Sequence, residues 1–185
     1  AGRAEIEEQD LDTIKNVYLF SGIPGDEWER AANPLNKYST VRKEISMQKL
    51  GPGYTFARKI SKTFNTQVGL VVNARGGTSI DEWMPNTKLY NEAIKRTKEA
   101  MNYGIIRGIL WHQGASDVNN METYLEKFEI LIHSFRSDLN APNLPFIAGE
   151  LSESIPERKA FNKMMEKLPK IIKKTRIVSI EGLNT

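Results

Sequence analysis

The sequence of 185 residues contains no cysteine and only two histidines, His112 and His133. The first absence excludes a disulfide framework and thiolate chemistry, and it leaves the redox compartment open. Two isolated histidines do not form a zinc-binding pattern, so we expect neither a metal site nor a cofactor. The chain also lacks an apolar run long enough to cross a membrane, and from these residues we expect no signal peptide.

Other absences restrict the expected partners. The net charge is only +3, from 26 basic and 23 acidic residues, and no basic run is interleaved with aromatic residues. We therefore do not expect nucleic acid as a partner. No internal repeat or low-complexity segment is present. A length of 185 residues, with 39% hydrophobic and 26% charged residues, is typical of one soluble globular domain.

The hydrophobic pattern predicts an α/β domain with a parallel sheet, because strand-like and helix-like segments alternate along the chain. The predicted strands cover residues 16–20, 68–72, 105–111, 145–149 and 176–180. The predicted helices cover residues 54–64, 88–103, 121–139 and 159–173. Pro169 is an expected kink or break in the last helix. A polar loop is predicted up to about residue 48 after the first strand.

Two polar segments follow predicted strands, NARGGTS at 73–79 and HQGASD at 112–117. Ligands of parallel α/β sheets bind beyond the carboxyl ends of the strands, so these segments predict a site. The Gly76-Gly77 pair permits a tight turn with exposed N–H groups, which can hold a phosphate or a developing oxyanion. A plain strand-to-helix turn is the alternative. A phosphate loop is less favoured, because GxxxxGK[ST] and GxGxxG are both absent.

The second segment supplies Gln113, whose side-chain amide can donate two hydrogen bonds. His112 is either a structural residue at a strand end or a catalytic one. Ser79 and Ser116 are candidate nucleophiles, but neither lies in a G-x-S-x-G elbow, and Ser116 fits a turn or helix cap. His133 is assigned no catalytic role, because it falls on the margin of a predicted helix.

Trp83 has two interpretations, as a core residue or as a stacking surface for a sugar. The basic residues between 167 and 176 are interpreted as a solvated helix face and loop.

Four blocks of the sequence are similar to carbohydrate O-acetylesterases of the SGNH hydrolase superfamily. The branch is described as sialate O-acetylesterase-like or as carbohydrate esterase family six. The blocks are WERAANPL at 28–35, LGPGYTFA at 50–57, GLVVNARGGTSIDEW at 69–83, and GILWHQG with SD at 108–117. The last two are long and specific, and the likeness extends over essentially the whole chain.

This resemblance implies a three-layer sandwich with a flavodoxin-like parallel sheet, and serine esterase chemistry on acetylated carbohydrates. It implies that Gly76 and Gly77 supply backbone donors to an oxyanion hole and that Gln113 supplies a side-chain donor. Further residues are expected to bind substrate or support the site: Arg75, Trp83, His112 and Asp117. The resemblance also favours a secreted or periplasmic location, and it leaves the oligomeric state open.

The sequence departs from the family pattern in three places. The family nucleophile lies in a GQSNMAG block, and Ala1-Gly2-Arg3 looks like the tail of that block, so the serine is expected before Ala1. The family Asp-x-x-His block is expected after Thr185. Ala115 stands where the family has Glu, and its methyl group can neither accept a hydrogen bond nor carry charge. We therefore expect a single SGNH-hydrolase-like domain over 1–185 that lacks the nucleophile and the acid–base pair.

Three hypotheses follow for the function. The first is a carbohydrate O-acetylesterase for which this chain carries the oxyanion-hole half of the site. The second is a non-catalytic carbohydrate-binding or scaffold protein on an esterase fold, motivated by Ala115 and the missing triad. The third is a flavodoxin-like nucleotide binder that uses residues 75–78.

The resemblance also makes a prediction about the sheet. In the flavodoxin-like order 2-1-3-4-5 the first strand is an inner one, and by resemblance it precedes Ala1. We therefore expect a vacant sheet position, or one filled by another segment. A continuous, fully paired parallel sheet built from the strands at 68–72, 105–111, 146–149 and 176–180 would contradict this.

Overall fold

The structure, a computed structural model, describes residues 5–182, and helices and strands alternate along that range. The strands are β1 (Val17–Ile23), β2 (Asp26–Arg30), β3 (Val68–Leu70), β4 (Ile109–Trp111), β5 (Phe146–Gly149) and β6 (Thr175–Val178). The α-helices are α1 (Gly53–Phe64), α2 (Lys88–Ala100), α3 (Tyr124–Asp138), α4 (Pro156–Met165) and α5 (Leu168–Ile171). The predicted α/β class with parallel strands is confirmed.

The described residues divide into two compact units. The first contains the residues up to Gly76 together with Lys95–Gly104, and the second contains Gly77–Ile94 and the residues from Ile105 onward. Each unit has a three-stranded sheet, with order β2-β1-β3 in the first and β4-β5-β6 in the second. The continuous four-stranded sheet that would have contradicted a vacant position is not formed by residues 5–182.

The sheet of the first unit is mixed. β1 pairs with β3 in parallel, with Leu19 opposite Leu70, and with β2 in an antiparallel hairpin. The sequence prediction of a loop over β2 was wrong. The strand carries four charged residues around Trp28, but Trp28 lies opposite Phe20 with ring centroids 5.0 Å apart. Such a cross-strand aromatic pair stabilises the hairpin. The charged residues of β2 favour a loop when the sequence is considered alone.

α1 confirms the predicted helix, but of the apolar positions that predict its buried face, Phe56, Ala57, Ile60 and Phe64, only Ala57 is buried. The helix buries Tyr54, Ala57 and Ser61, whereas Phe64 is 68% exposed. Ser61 is buried because its hydroxyl donates to the backbone oxygen of Thr66 at 2.9 Å, next to Asn65 in the left-handed region that ends the helix. A polar side chain whose hydrogen bonds are satisfied can be buried, and hydrophobic spacing alone does not predict such a residue.

The sheet of the second unit is wholly parallel. Ala148 lies opposite Trp111 on one side and Ile177 on the other, so β5 is the central strand. The spacing of apolar residues in 121–139 predicts a buried face of Tyr124, Leu125, Phe128, Leu131 and Phe135. In α3 all of these except the half-buried Leu125 are buried, and Ile132 is buried with them. The helix predicted at 159–173 is divided into α4 and α5, with Pro169 in the first turn of α5, as expected of a residue without an amide hydrogen.

No α-helix among residues 5–182 combines the length and apolar character that crossing a bilayer requires. The same residues contain no group of three or more His, Cys, Asp or Glu side chains arranged to hold a metal ion.

Candidate active site

The second unit brings a turn and a strand end together through the side chain of Gln113. β4 ends at Trp111, and Gln113 follows two residues later. The amide nitrogen of Gln113 donates to the backbone oxygen of Thr78 at 2.8 Å and to Oδ2 of Asp117 at 2.5 Å. A primary amide has two hydrogens, so both have acceptors within the fold. Gln113 therefore fixes the position of the Gly77-Thr78 segment relative to β4.

Asp117 joins a side-chain amide and a backbone N–H through one carboxylate. Its side chain is 6% exposed, Oδ2 accepts from Gln113, and Oδ1 accepts from the backbone N–H of Ile80 at 3.0 Å. Ile80 begins a short 3₁₀ helix, Ile80–Trp83, so the carboxylate satisfies an amide that has no partner inside that helix. Asp117 belongs to a turn after β4, in which its N–H donates to the oxygen of Gly114 at 2.8 Å.

Tyr124, at the start of α3, completes the hydrogen bonding of Gln113. Its hydroxyl donates to Oε1 of Gln113 at 2.8 Å and accepts from Nε1 of Trp111 at 3.3 Å. The tyrosine is fully buried, and this burial, with a smaller contribution from the charge of Asp117, raises the pKa of Tyr124 well above its usual range. The hydroxyl therefore keeps its proton at neutral pH and can act as a donor there. We call Thr78, Trp111, Gln113, Asp117 and Tyr124 the Gln113 network.

Trp83 is a core residue, so of its two sequence interpretations the structure favours the first. It is 6% exposed, its Nε1 donates to Oγ1 of Thr78 at 2.9 Å, and its ring meets Trp111 edge-on with centroids 5.6 Å apart. Trp83 therefore holds Thr78, the residue after Gly77, through this hydrogen bond. Its ring is buried, so a sugar cannot stack on it.

His112 is exposed and lies against Gly149, where a Cβ would come within 3.2 Å of its Cδ2. It makes no hydrogen bond within residues 5–182. His133 is also exposed, 3.8 Å from Glu129 one helical turn away. The structure thus pairs neither imidazole with a nucleophile among the residues it describes.

The two serines considered as nucleophiles have local structural positions. Ser79 is the N-cap of the 3₁₀ helix, and it forms a capping box with Glu82. Ser116 is an exposed turn residue, as the sequence predicted. Ala115, which the resemblance places where Glu is expected, is exposed in the same turn.

The segment that precedes the glycine turn is held by polar contacts inside the first unit. The side chain of Asn36 accepts from the N–H of Ala74 at 3.0 Å and donates to its oxygen at 2.9 Å. Oδ1 of Asn73 accepts from Oγ of Ser39 at 2.9 Å. Arg75 is exposed, with Nη1 donating to the backbone oxygen of Val41 at 3.0 Å. These bonds fix the path of the chain up to Gly76.

Gly76 and Gly77 form a turn, and Gly77 adopts a positive φ of 78° that suits glycine. Gly77 is exposed, and its N–H donates to no acceptor within residues 5–182. This amide is therefore an available donor next to a segment that Gln113 holds in place.

Sequence reasoning identified Gln113 and Asp117 but missed Tyr124 and the backbone oxygen of Thr78. Tyr124 falls on the apolar face of a predicted helix, where periodicity assigns the ring to the core and says nothing of the hydroxyl. A buried tyrosine usually has a hydrogen-bond partner, which is the one signal that could have indicated a polar role.

Comparison with known proteins gives a family match over the whole chain. Residues 1–185 match the family described as carbohydrate esterase, sialic acid-specific acetylesterase. A probable carbohydrate esterase from Arabidopsis thaliana is 39% identical over 127 residues. These residues are 65% of this chain and 48% of that protein, so the chain spans about half the length of the curated relative it matches.

Solved structures give the same fold. An X-ray structure of a protein from Arabidopsis thaliana aligns with a TM-score of 0.83 at 29% identity, over 97% of this chain and 74% of that one. A carbohydrate acetylesterase from Xanthomonas citri aligns with a TM-score of 0.64 at 19% identity, over 86% of this chain and 38% of that one. At that identity the second likeness bears on the fold alone.

Proposed function

The chain belongs to the carbohydrate esterase family of sialic acid-specific acetylesterases, and on that premise we propose that the protein hydrolyses O-acetyl esters of carbohydrates. The reaction is that of a serine esterase. A serine hydroxyl attacks the acetyl carbonyl carbon while a histidine takes its proton, and the sugar hydroxyl leaves with that proton. Water then releases acetate from the acetyl-serine by the same route.

In this proposal the residues of the chain stabilise charge through hydrogen bonds, and they form no covalent bond to the substrate. The resemblance to the family implies that the serine and the Asp-x-x-His block come from outside residues 1–185, and the proposal takes them from there. The N–H of Gly77 and the side-chain amide of Gln113 face the oxygen that becomes negative in the tetrahedral intermediate. Asp117, Trp83 and His112 support or border this oxyanion hole, and Arg75 and Gly76 lie on the segment that leads into its turn.

The observation that carries the proposal is the available N–H of Gly77 beside the bond from Gln113 to Thr78. A donor that is fixed before the reaction stabilises developing charge without reorganisation. The bonds already made by Gln113 add a condition. Its hydrogen directed at Asp117 points to a negative charge, so the hydrogen directed at the oxygen of Thr78 is the one to share with the oxyanion, as a three-centre bond.

The test is acetate release by the full-length protein from p-nitrophenyl acetate and from O-acetylated sugars. We expect turnover above buffer, and we expect Gln113→Ala to lower kcat by roughly 10²–10³, the usual effect of removing one oxyanion donor. Gln67→Ala, which truncates an exposed glutamine, is the matched control and should stay within twofold of the parent. A Gln113→Ala rate within twofold of the parent would exclude the oxyanion role.

Ala115 and the internally bonded hydrogens of Gln113 favour a second candidate, a non-catalytic carbohydrate-binding or scaffold protein. This candidate predicts saturable binding of an acetylated oligosaccharide by the full-length protein without acetate release. Isothermal titration and an acetate assay on the same sample distinguish the two, because acetate production contradicts the second candidate.

A further inference from the structure

We propose that Tyr124 is a positioning residue, whose hydroxyl sets the orientation of the Gln113 side-chain amide and so directs its N–H groups to the site. The inference rests on the proposed function, because it gives a role to the oxyanion donor assumed there. Tyr124 contacts neither Gly77 nor an exposed surface, so it acts through Gln113.

The hydrogen bonds of the Gln113 network fix which end of the amide faces Tyr124, whose hydroxyl lies 2.8 Å from Oε1 and 3.4 Å from the backbone oxygen of Gln113. The indole N–H of Trp111 can only donate, so the Tyr124 oxygen accepts from it, and the Tyr124 hydrogen is directed to Oε1 of Gln113. The oxygen of Thr78 and the carboxylate of Asp117 can only accept, so both need the amide nitrogen. Rotating the amide by 180° would place Oε1 against two acceptors.

Tyr124 holds the oxygen of the Gln113 amide, whereas Asp117 and Thr78 hold its nitrogen. Without its hydroxyl, Oε1 of Gln113 loses its donor and the N–H of Trp111 loses its acceptor. The amide can then move away from Thr78 or Asp117 to find other partners, since an unsatisfied buried oxygen is costly. A loosely held donor is a poorer oxyanion ligand, because catalysis depends on its position being fixed beforehand.

Rigid packing gives the hydroxyl a fixed position. The Tyr124 ring meets Phe161 edge-on with centroids 4.7 Å apart and lies 5.9 Å from the ring of Phe128. Tyr124→Phe keeps these contacts and removes one oxygen atom. Tyr90→Phe is the matched control, because Tyr90 is also buried in the second unit and its hydroxyl donates to Oδ2 of Asp138 at 2.6 Å, outside the Gln113 network.

The first experiment measures hydrolysis by the full-length protein with Tyr124→Phe, Gln113→Ala and the double variant. We expect Tyr124→Phe to lower kcat about 5- to 10-fold, the equivalent of one hydrogen bond, with KM within twofold. In the Gln113→Ala background the same change should have no further effect on kcat, because Tyr124 acts through Gln113. An equal fall in both backgrounds overturns the inference, and Tyr90→Phe should stay within twofold of the parent.

The second experiment is independent of activity and uses the side-chain amide resonances of Gln113 in ¹⁵N NMR, identified by their loss in Gln113→Ala. We expect their exchange with solvent to be at least about fivefold faster in Tyr124→Phe and unchanged in Tyr90→Phe. Equal exchange in Tyr124→Phe and the parent overturns the inference. If the parent releases no acetate, the proposed function fails, and this measurement alone decides the positioning role.

A third measurement applies if Tyr124→Phe does not fold. The buried hydroxyl proton of Tyr124 should give a slowly exchanging resonance in the unmodified protein and should exchange faster in Gln113→Ala. Its absence from the unmodified protein contradicts the donation to Gln113 and overturns the inference.

Discussion

At the scale of single residues, Gly114 shows how the backbone controls the direction of the chain after Gln113. It is buried, its φ is 134°, and a Cβ at this position would lie 2.3 Å from Cζ of Phe161. We expect Gly114→Ala to lower the free energy of unfolding by about 2–4 kcal/mol, because it combines backbone strain with overpacking. Urea denaturation followed by far-ultraviolet circular dichroism measures this loss.

Gly104→Ala is the matched control for Gly114→Ala. A Cβ at Gly104 has no neighbour within 4 Å among the described residues, and its φ is not in the left-handed region. Its free energy of unfolding should stay within about 0.5 kcal/mol of the parent. Equal stabilities for the two variants would contradict the contact between Gly114 and Phe161.

At the scale of elements, the hydroxyl of Tyr90 joins α2 to α3 through Asp138. Burial, and then the hydrogen bond to the Asp138 carboxylate, raises the pKa of Tyr90 above its usual range. The folded protein therefore holds this proton at a pH at which the unfolded chain releases it. The stabilisation is complete below about pH 10, the pKa of an unfolded tyrosine, and is lost as the pH rises further.

This link predicts how stability changes in alkali. Above pH 10 the free energy of unfolding should fall, with Tyr90 contributing at most about 1.4 kcal/mol per pH unit. Tyr90→Phe should be less stable than the parent at pH 8 and should fall less steeply between pH 10 and 11.5. Urea denaturation at several pH values measures both slopes. Parallel slopes would show that Tyr90 releases its proton equally in the folded and unfolded states.

The elements also show where sequence reasoning succeeds and where it stops. The period of α3 predicts its buried face because large apolar residues fill that face. β2 is not predicted from the sequence because its stability depends on the contact between Trp28 and Phe20. These residues lie on different strands, so the pattern within β2 does not reveal the contact. In the same way, the sequence locates Gln113 at a strand end but cannot show that Tyr124, eleven residues later, satisfies its oxygen.

At the scale of the whole molecule, each sheet of the described residues has two edge strands, and β3 and β4 are the two that bear on the expected inner strand. In the first unit β3 pairs with β1, and in the second β4 pairs with β5. The N–H of Val68 donates to Asn16 and that of Ile109 donates to Pro145, so the next residues, Gly69 and Leu110, direct their N–H groups away from the partner strand. Gly69 is exposed and Leu110 is 37% exposed, so both free edges are accessible.

The expected inner strand therefore has a direct test in the amide hydrogens of Gly69 and Leu110. In the 185-residue chain we expect both to exchange with solvent as fast as edge amides do, whereas the amides of the central strands β1 and β5 exchange slowly. In the full-length protein an added strand would bond to a free edge, of β3 or of β4, and slow the exchange of Gly69 or Leu110 by about tenfold or more. The amides of Val68 and Ile109, which are already bonded, should change less and are the internal reference.

Hydrogen exchange followed by NMR in both chains gives the comparison. Unchanged exchange at Gly69 and Leu110 in the full-length protein would contradict the proposed inner strand, and with it the proposal that a preceding segment brings the nucleophilic serine to the Gln113 network.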